Sequence, residues 1–468
     1  MLQKGRQIGG QIIVNRFGNA AAALFPVILL LTGVFAANYF GSQKVDSIYP
    51  ADVFQKDLFS GLSKEEMELL LEDADPLMLK RLKEDPEMRK QQIESIRQLF
   101  ALANQAIKDG FVDDENTSKS LEIIDATVWA RNYDQEINKG KSPMPPFGLI
   151  AENRIKEFYG EGGSATPEQK EHAGQFDKFL QVQLHFARKN KSVPEDAEPS
   201  DEEKAQLKQE FANIKIYEAE ARAKAKTGEL PEKFVKKTRL QSKLHLAQFL
   251  ARTYSNDVLA KKAEATDDEI RQYLTEHPGL NSAEKKKAEA NKVLRRAKSG
   301  EDFAKLAKEF SEDPGSKDKG GLYTNVSEGS FDKDFEKAAL ALQPGQISPN
   351  VVETQFGYHI IKLVKKGRTK DSSGQLKPSY DVRQIFFSTT VKDPDNPEAL
   401  EMPVKQYAKS KIEEAKEKKV LEKIVADNPV SIAEDFQIRD VSDEEIRKLT
   451  QSSNTNVQTN VNRGNYNK

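Results

Sequence analysis

Apolar residues along this chain recur mostly at helical spacing. Ile93, Ile96, Leu99, Phe100, Ala103 and Ile107 form one stripe after Asp85-Pro86, and Gly110 can end that helix. Leu240, Leu244, Ala247 and Leu250 form another. Ser63-Lys-Glu-Glu66 has the form of a capping box, and Ser200-Asp-Glu-Glu203, Thr266-Asp-Asp-Glu269 and Ser442-Asp-Glu-Glu445 open further helices. Polar breaks fall at 139–146, 160–166 and 193–199, and no short tandem repeat stands out. Residues 282–299 predict a helix whose basic face is solvated and whose Ala288 and Val293 turn inward. The pattern changes at Tyr380–Phe387, where β-branched and aromatic residues between turn formers predict a strand. A polar loop is expected over 365–378. Past the strand, 405–427 reads as a charged helix and 430–441 as holding a short strand. The tail from Gln451 is rich in Asn, Ser and Thr and reads as disordered.

The N-terminal segment departs from this amphipathic pattern. Lys4, Arg6 and Arg16 precede an uncharged run from Phe17 to Gln43. Its centre, Ala20–Phe40, has about the 20 residues that cross a bilayer as a helix. Positive charge ahead of the run orients the N-terminus to the cytoplasm and leaves the rest of the chain outside. Two readings follow: an uncleaved anchor in the inner membrane, or a signal peptide cut after Val34-Phe35-Ala36. The first makes the protein single-pass with its bulk in the periplasm; the second makes it a secreted periplasmic protein.

Composition narrows the chemistry. Lys and Arg (72) nearly balance Asp and Glu (74), so no global field favours nucleic acid as a partner. The chain has no cysteine, which excludes disulfides, thiolate nucleophiles and cysteine metal sites. Its five histidines are widely separated, and no phosphate-loop or zinc spacing is present. Neither a metal nor a cofactor is expected.

Residues 300–362 carry the most specific signal. They hold GEDFAKLAKEFSEDPGS, then KGG, then FEKAALALQPGQIS and VVETQFGYHIIKL. These blocks resemble the parvulin-type peptidyl-prolyl cis-trans isomerases over about 80 residues. The resemblance implies an apolar slot for the proline ring, formed by Phe331, Phe335 and Phe356 with Leu322 beside it. It implies a polar set of Thr354 and His359, which is either catalytic or a brace for the sheet. Two positions depart from the family pattern. Leu322 stands after Gly320-Gly321 where a polar residue is expected, and the opening strand is missing ahead of residue 285. Val382–Phe387 matches that strand but follows the domain. We therefore expect either a permuted domain, with Val382–Phe387 paired beside the His359 strand and Gln384 in the catalytic set, or a degenerate second module from residue 380 onward.

The wider layout resembles folding factors of the SurA/PpiD type. The expected fold class is α+β: a transmembrane helix, a large all-α chaperone-like region and a C-terminal parvulin α/β domain. The expected boundaries are 1–43, 44–280, 281–395, 396–450 and a tail 451–468. The resemblance implies an isomerase and chaperone for exported proteins in the periplasm, with unfolded or newly exported polypeptides as partners. The alternatives are a holdase that has lost turnover, on account of Leu322, Gln384 and the large helical region, and a structural envelope protein.

Overall fold

The computed structural model describes residues 58–447, apart from 143–144, 149, 281, 371–374, 395 and 397–399. The expected membrane segment and the tail lie outside them. Among the described residues no helix is long and apolar enough to cross a membrane. The chain divides into two compact units, Met1–Lys262 with Glu417–Lys468, and Ala263–Lys416.

The first unit is built of helices. α1 (Lys64–Leu71) begins at the Ser63 capping box, and α2 (Pro76–Glu84) and α3 (Pro86–Lys108) begin on the side-chain caps of Asp75 and Asp85. There follow α4 (Glu115–Asn138), α5 (Glu152–Tyr159), α6 (Pro167–Lys189), α7 (Asp201–Thr227) and α8 (Glu232–Tyr254). The α3 stripe is buried from Ile93 to Ala103, with Ile107 half-buried, and packs with the buried Leu240–Leu250 stripe of α8. A second core gathers Trp129, Tyr133, Phe179, Phe211 and Tyr217 from α4, α6 and α7. The end of the chain returns to this unit: Ser431–Ile432 pairs in parallel with Gly61–Leu62, and Leu421, Ile424 and Phe436 join the first core. The segment expected as 396–450 is thus divided between the two units. Its first part, Val404 and Ala408, packs with Leu274 in the second unit, because both stretches present apolar faces one helical turn apart.

The second unit carries a four-stranded sheet. Its helices are α9 (Asp267–Glu276), α10 (Ala283–Lys298), α11 (Phe303–Phe310) and α12 (Lys333–Leu340). α10 buries Ala290, Val293, Leu294 and Ala297; Ala288, expected inward, is exposed, since the buried stripe follows 290, 293, 294 and 297. The strands are β1 (Leu322–Ser327), β2 (Val352–Thr354), β3 (Gly357–Lys370) and β4 (Leu376–Ser388), and they lie in the order β1-β4-β3-β2. β4 thus enters the centre of the sheet although it is last in sequence. It pairs antiparallel with β3 from Gly357↔Ser388 to Lys370↔Leu376, and with β1 from Leu322↔Arg383 to Ser327↔Ser379. Val382–Phe387 pairs within this sheet, beside the His359 strand. The stretch expected as a polar loop is mostly strand, because main-chain pairing extends the hairpin past the apolar residues that pattern can detect. One face of the sheet packs Tyr358, Ile360, Ile385 and Phe387 on α10 and α11, and the other packs Ile361, Leu363, Tyr380 and Val382 on α12.

The Gly320-Gly321 turn seals the sheet edge. Gly321 has φ +77°, and its carbonyl accepts the Gln384 N–H at 2.9 Å. A Cβ on Gly321 would lie 2.1 Å from the Gln384 carbonyl oxygen. Gly300, with φ +96°, has open space around it. Gly300→Ala is therefore expected to cost only the strained backbone, about 1–3 kcal/mol. Gly321→Ala adds a backbone collision and should cost clearly more in thermal denaturation of the full chain. Equal losses would contradict the close approach.

Candidate active site

The site lies on the α12 face of the sheet. Opposed residues on paired strands share a face, so His359 and Phe386 point together, as do Ile361 and Gln384. Gln384 therefore reaches His359: its Oε1 lies 2.9 Å from His359 Nδ1. On the other side of the ring, His359 Nε2 lies 2.9 Å from Thr354 Oγ1. Gln384 Nε2 in turn donates to Asp313 Oδ2 at 2.9 Å. The carboxylate can only accept when ionised, which orients the Gln384 amide, and burial of the His359 ring in its neutral form then sets the Thr354 contact. The amide nitrogen faces Asp313, the amide oxygen accepts from His359 Nδ1–H, and Nε2 accepts the Thr354 hydroxyl proton. His359 is thus a neutral imidazole with both nitrogens engaged. Burial holds its pKa below the ordinary value, against the opposing pull of Gln384, Asp332 and Asp313.

Asp313 was not among the residues singled out by sequence. It sits in the SEDPGS turn, which is strapped to the β4 backbone by one main-chain and one side-chain contact. Glu312 N–H donates to Phe386 O at 2.8 Å, and Phe386 N–H donates to Ser311 Oγ at 3.1 Å. The Asp313 carboxylate accepts from the Tyr323 hydroxyl at 2.9 Å, from Gly315 N–H at 3.0 Å and from the Ser316 hydroxyl. Burial pushes its pKa up, but these hydrogen bonds and that of Gln384 outweigh it and hold the carboxyl below its ordinary value. For Tyr323, burial and then the Asp313 contact push the phenol up to about 12, so it remains a donor.

Aromatic rings continue the wall from Asp313. Tyr323 meets Phe331 edge-on at 5.2 Å, and Phe331 stacks on Phe335 at 4.9 Å. Phe335 meets His359 at 5.2 Å, and His359 stacks on Phe386 at 4.7 Å. Phe335 is fully buried and Phe331 half-buried, while Phe356 is 41% exposed and its N–H donates to Thr354 Oγ1 at 3.2 Å. The structure therefore brings Phe331, Phe335, Thr354, His359 and Gln384 together, and ties Phe356 to them through Thr354.

Leu322 is the exception. It opposes Arg383 on β4, one position out of phase with Gln384, and so lies on the other face of the sheet. It therefore does not share the face that holds His359 and Gln384. A usable signal was present in sequence: an Asp in a turn-forming Asp-Pro-Gly-Ser run just ahead of the Gly-Gly turn. Tyr323 and Phe386 were missed because only the strand register reveals which face they occupy.

A family model described as the PPIC-type PPIase (rotamase) domain matches residues 270–365. The match ends within β3, short of β4. The foldase protein PrsA of Clostridium botulinum (strain Kyoto / Type A2) is 33% identical over 238 residues, covering 46% of this chain and 67% of that protein. The foldase protein PrsA of Clostridium kluyveri is 33% identical over 273 residues, covering 53% of this chain and 78% of that protein. A solved chain described among two SurA-like chaperones of Campylobacter jejuni is 20% identical, covers 62% of this chain and 94% of its own, and superposes with a TM-score of 0.17. The chain belongs to the PrsA foldases: it is a parvulin-type peptidyl-prolyl cis-trans isomerase and a folding factor for exported proteins.

Proposed function

We propose that Asp313 is the polar group that meets the substrate, and that Gln384, His359 and Thr354 position it. Rotation about an X–Pro bond faces a barrier of roughly 18–20 kcal/mol, set by amide resonance. The planar amide places negative charge on its oxygen and positive charge on nitrogen; the twisted amide loses that separation. A carboxylate beside the carbonyl oxygen therefore penalises the planar form more than the twisted one. With the proline ring against Phe331, Phe335 and Phe356, the Asp313 carboxylate stands at the edge of the slot through Tyr323. His359 has no nitrogen left for the substrate. It holds the amide of Gln384, and Gln384 holds Asp313.

The observation that carries this reading is the single hydrogen-bonded chain from Thr354 to Asp313. The same chain supports turnover over a holdase without it, an alternative that rested on Leu322, Gln384 and the large helical region. Gln384 bridges the set rather than breaking it. The membrane location is part of the proposal as well: the apolar run at 20–40 would hold the chain in the inner membrane with its bulk on the outer side, where exported clients emerge.

Three outcomes test these assignments. In a proline-peptide isomerisation assay, Asp313→Asn should lower kcat/KM by at least about tenfold. Retention of full activity would remove Asp313 from the mechanism. In histidine NMR, the His359 signals, assigned by loss in His359→Gln, should titrate below the ordinary value of about 6.5. A titration at or above it would contradict the neutral, buried ring. On fractionation of cells expressing the full chain, the protein should remain with membranes after alkaline extraction, and deletion of residues 1–43 should release it. Release of the intact chain would overturn the anchor.

A further inference from the structure

The helical unit holds a cavity of about 730 Å³, within the roughly 300–1,000 Å³ of ordinary ligand sites. It opens between α1, α4, α7 and α8, and its apolar wall includes Leu58, Leu69, Trp129 and Leu246. Five cations and three carboxylates line it. The three carboxylates are all paired. Asp125, which is 1% exposed, accepts from Arg222 and from the Ser242 hydroxyl. Glu66 pairs with Lys243 at 3.3 Å and Glu65 with Lys236 at 2.9 Å. The Arg222 guanidinium also lies 5.0 Å over the Trp129 ring, which fixes the floor. Two cations on the wall, Lys226 and Arg239, are exposed and have no anionic partner among the described residues.

An apolar floor under two unpaired cations has a defined complement. We propose that this cavity binds client segments in which a carboxylate side chain sits beside aliphatic residues. Aliphatic side chains cover Leu58, Leu69 and Leu246, and the carboxylate meets Arg239 and Lys226. A basic segment would bring like charge to the same wall and be rejected. The site lies in the helical unit, away from the isomerase residues in sequence, so it selects clients by composition rather than by proline. The proposal rests on the folding-factor reading, since its ligand is a client segment.

Trp129 is the only tryptophan in the chain and lines this cavity, so intrinsic tryptophan fluorescence reads its wall. The full chain is titrated with two end-blocked peptides, Leu-Glu-Leu-Asp-Leu and Leu-Lys-Leu-Lys-Leu. The acidic peptide should give a saturable change and the basic one none. The double substitution Lys226→Gln with Arg239→Gln should weaken binding at least tenfold, while Lys226→Arg with Arg239→Lys should retain it; circular dichroism checks that both fold. An equal response to the basic peptide or to succinate, or unchanged affinity in the neutralised variant, would overturn the proposal. Suppression of aggregation of an unfolded client is followed in parallel. If the chain protects the client while Trp129 stays silent, this site fails and the folding-factor reading stands; if protection is also absent, that reading fails.

Discussion

The isomerase unit depends on one pairing: strand Leu376–Ser388 lies between Leu322–Ser327 and Gly357–Lys370. Remove that strand and the two flanking strands have no common partner. Val382 and Ile385 are fully buried and Phe387 nearly so, on alternate faces of the sheet. Each contributes on the order of 1.5–3 kcal/mol by burial. The sheet is therefore completed only when the chain returns from its last hairpin.

The same pairing assembles the candidate site. Gln384 arrives on the central strand between His359 on one neighbour and Asp313 in the turn that straps to its backbone. A slip of one residue would turn Gln384 to the opposite face and put Arg383 in its place. Arg383 instead points away and clamps the Lys319 and Gly320 carbonyls, which hold the glycine turn against the strand. Fold and site are thus fixed by one register, and the neutral His359 is a consequence of it: the ring is buried and both its nitrogens are spoken for.

Much of this is written locally in the sequence. The caps at Ser63, Ser200 and Thr266 close as their residue types require, and the stripes of Ile93–Ala103 and Leu240–Leu250 are core. The strand at Val382–Phe387 is legible from its β-branched and aromatic run, and its place in the sheet from the gap it fills. Other features depend on long-range contact. The position of Leu322 after Gly-Gly says nothing of which face of the sheet it takes. Asp313 is not legible as a site residue because its partner, Gln384, lies 71 residues away. The division of residues 396–450 between two units follows from Val404 packing on Leu274 and Ser431 pairing with Gly61, neither of which periodicity can foresee.

Amide hydrogen exchange tests the central strand most directly. If Leu376–Ser388 occupies the middle of the sheet, the amides of Val382, Ile385 and Phe387 exchange as slowly as those of Ile360 and Ile361 on the neighbouring strand. Exchange of Val382, Ile385 and Phe387 at the rate of exposed loops, with Ile360 and Ile361 protected, would show that the strand lies outside the sheet and would contradict the account.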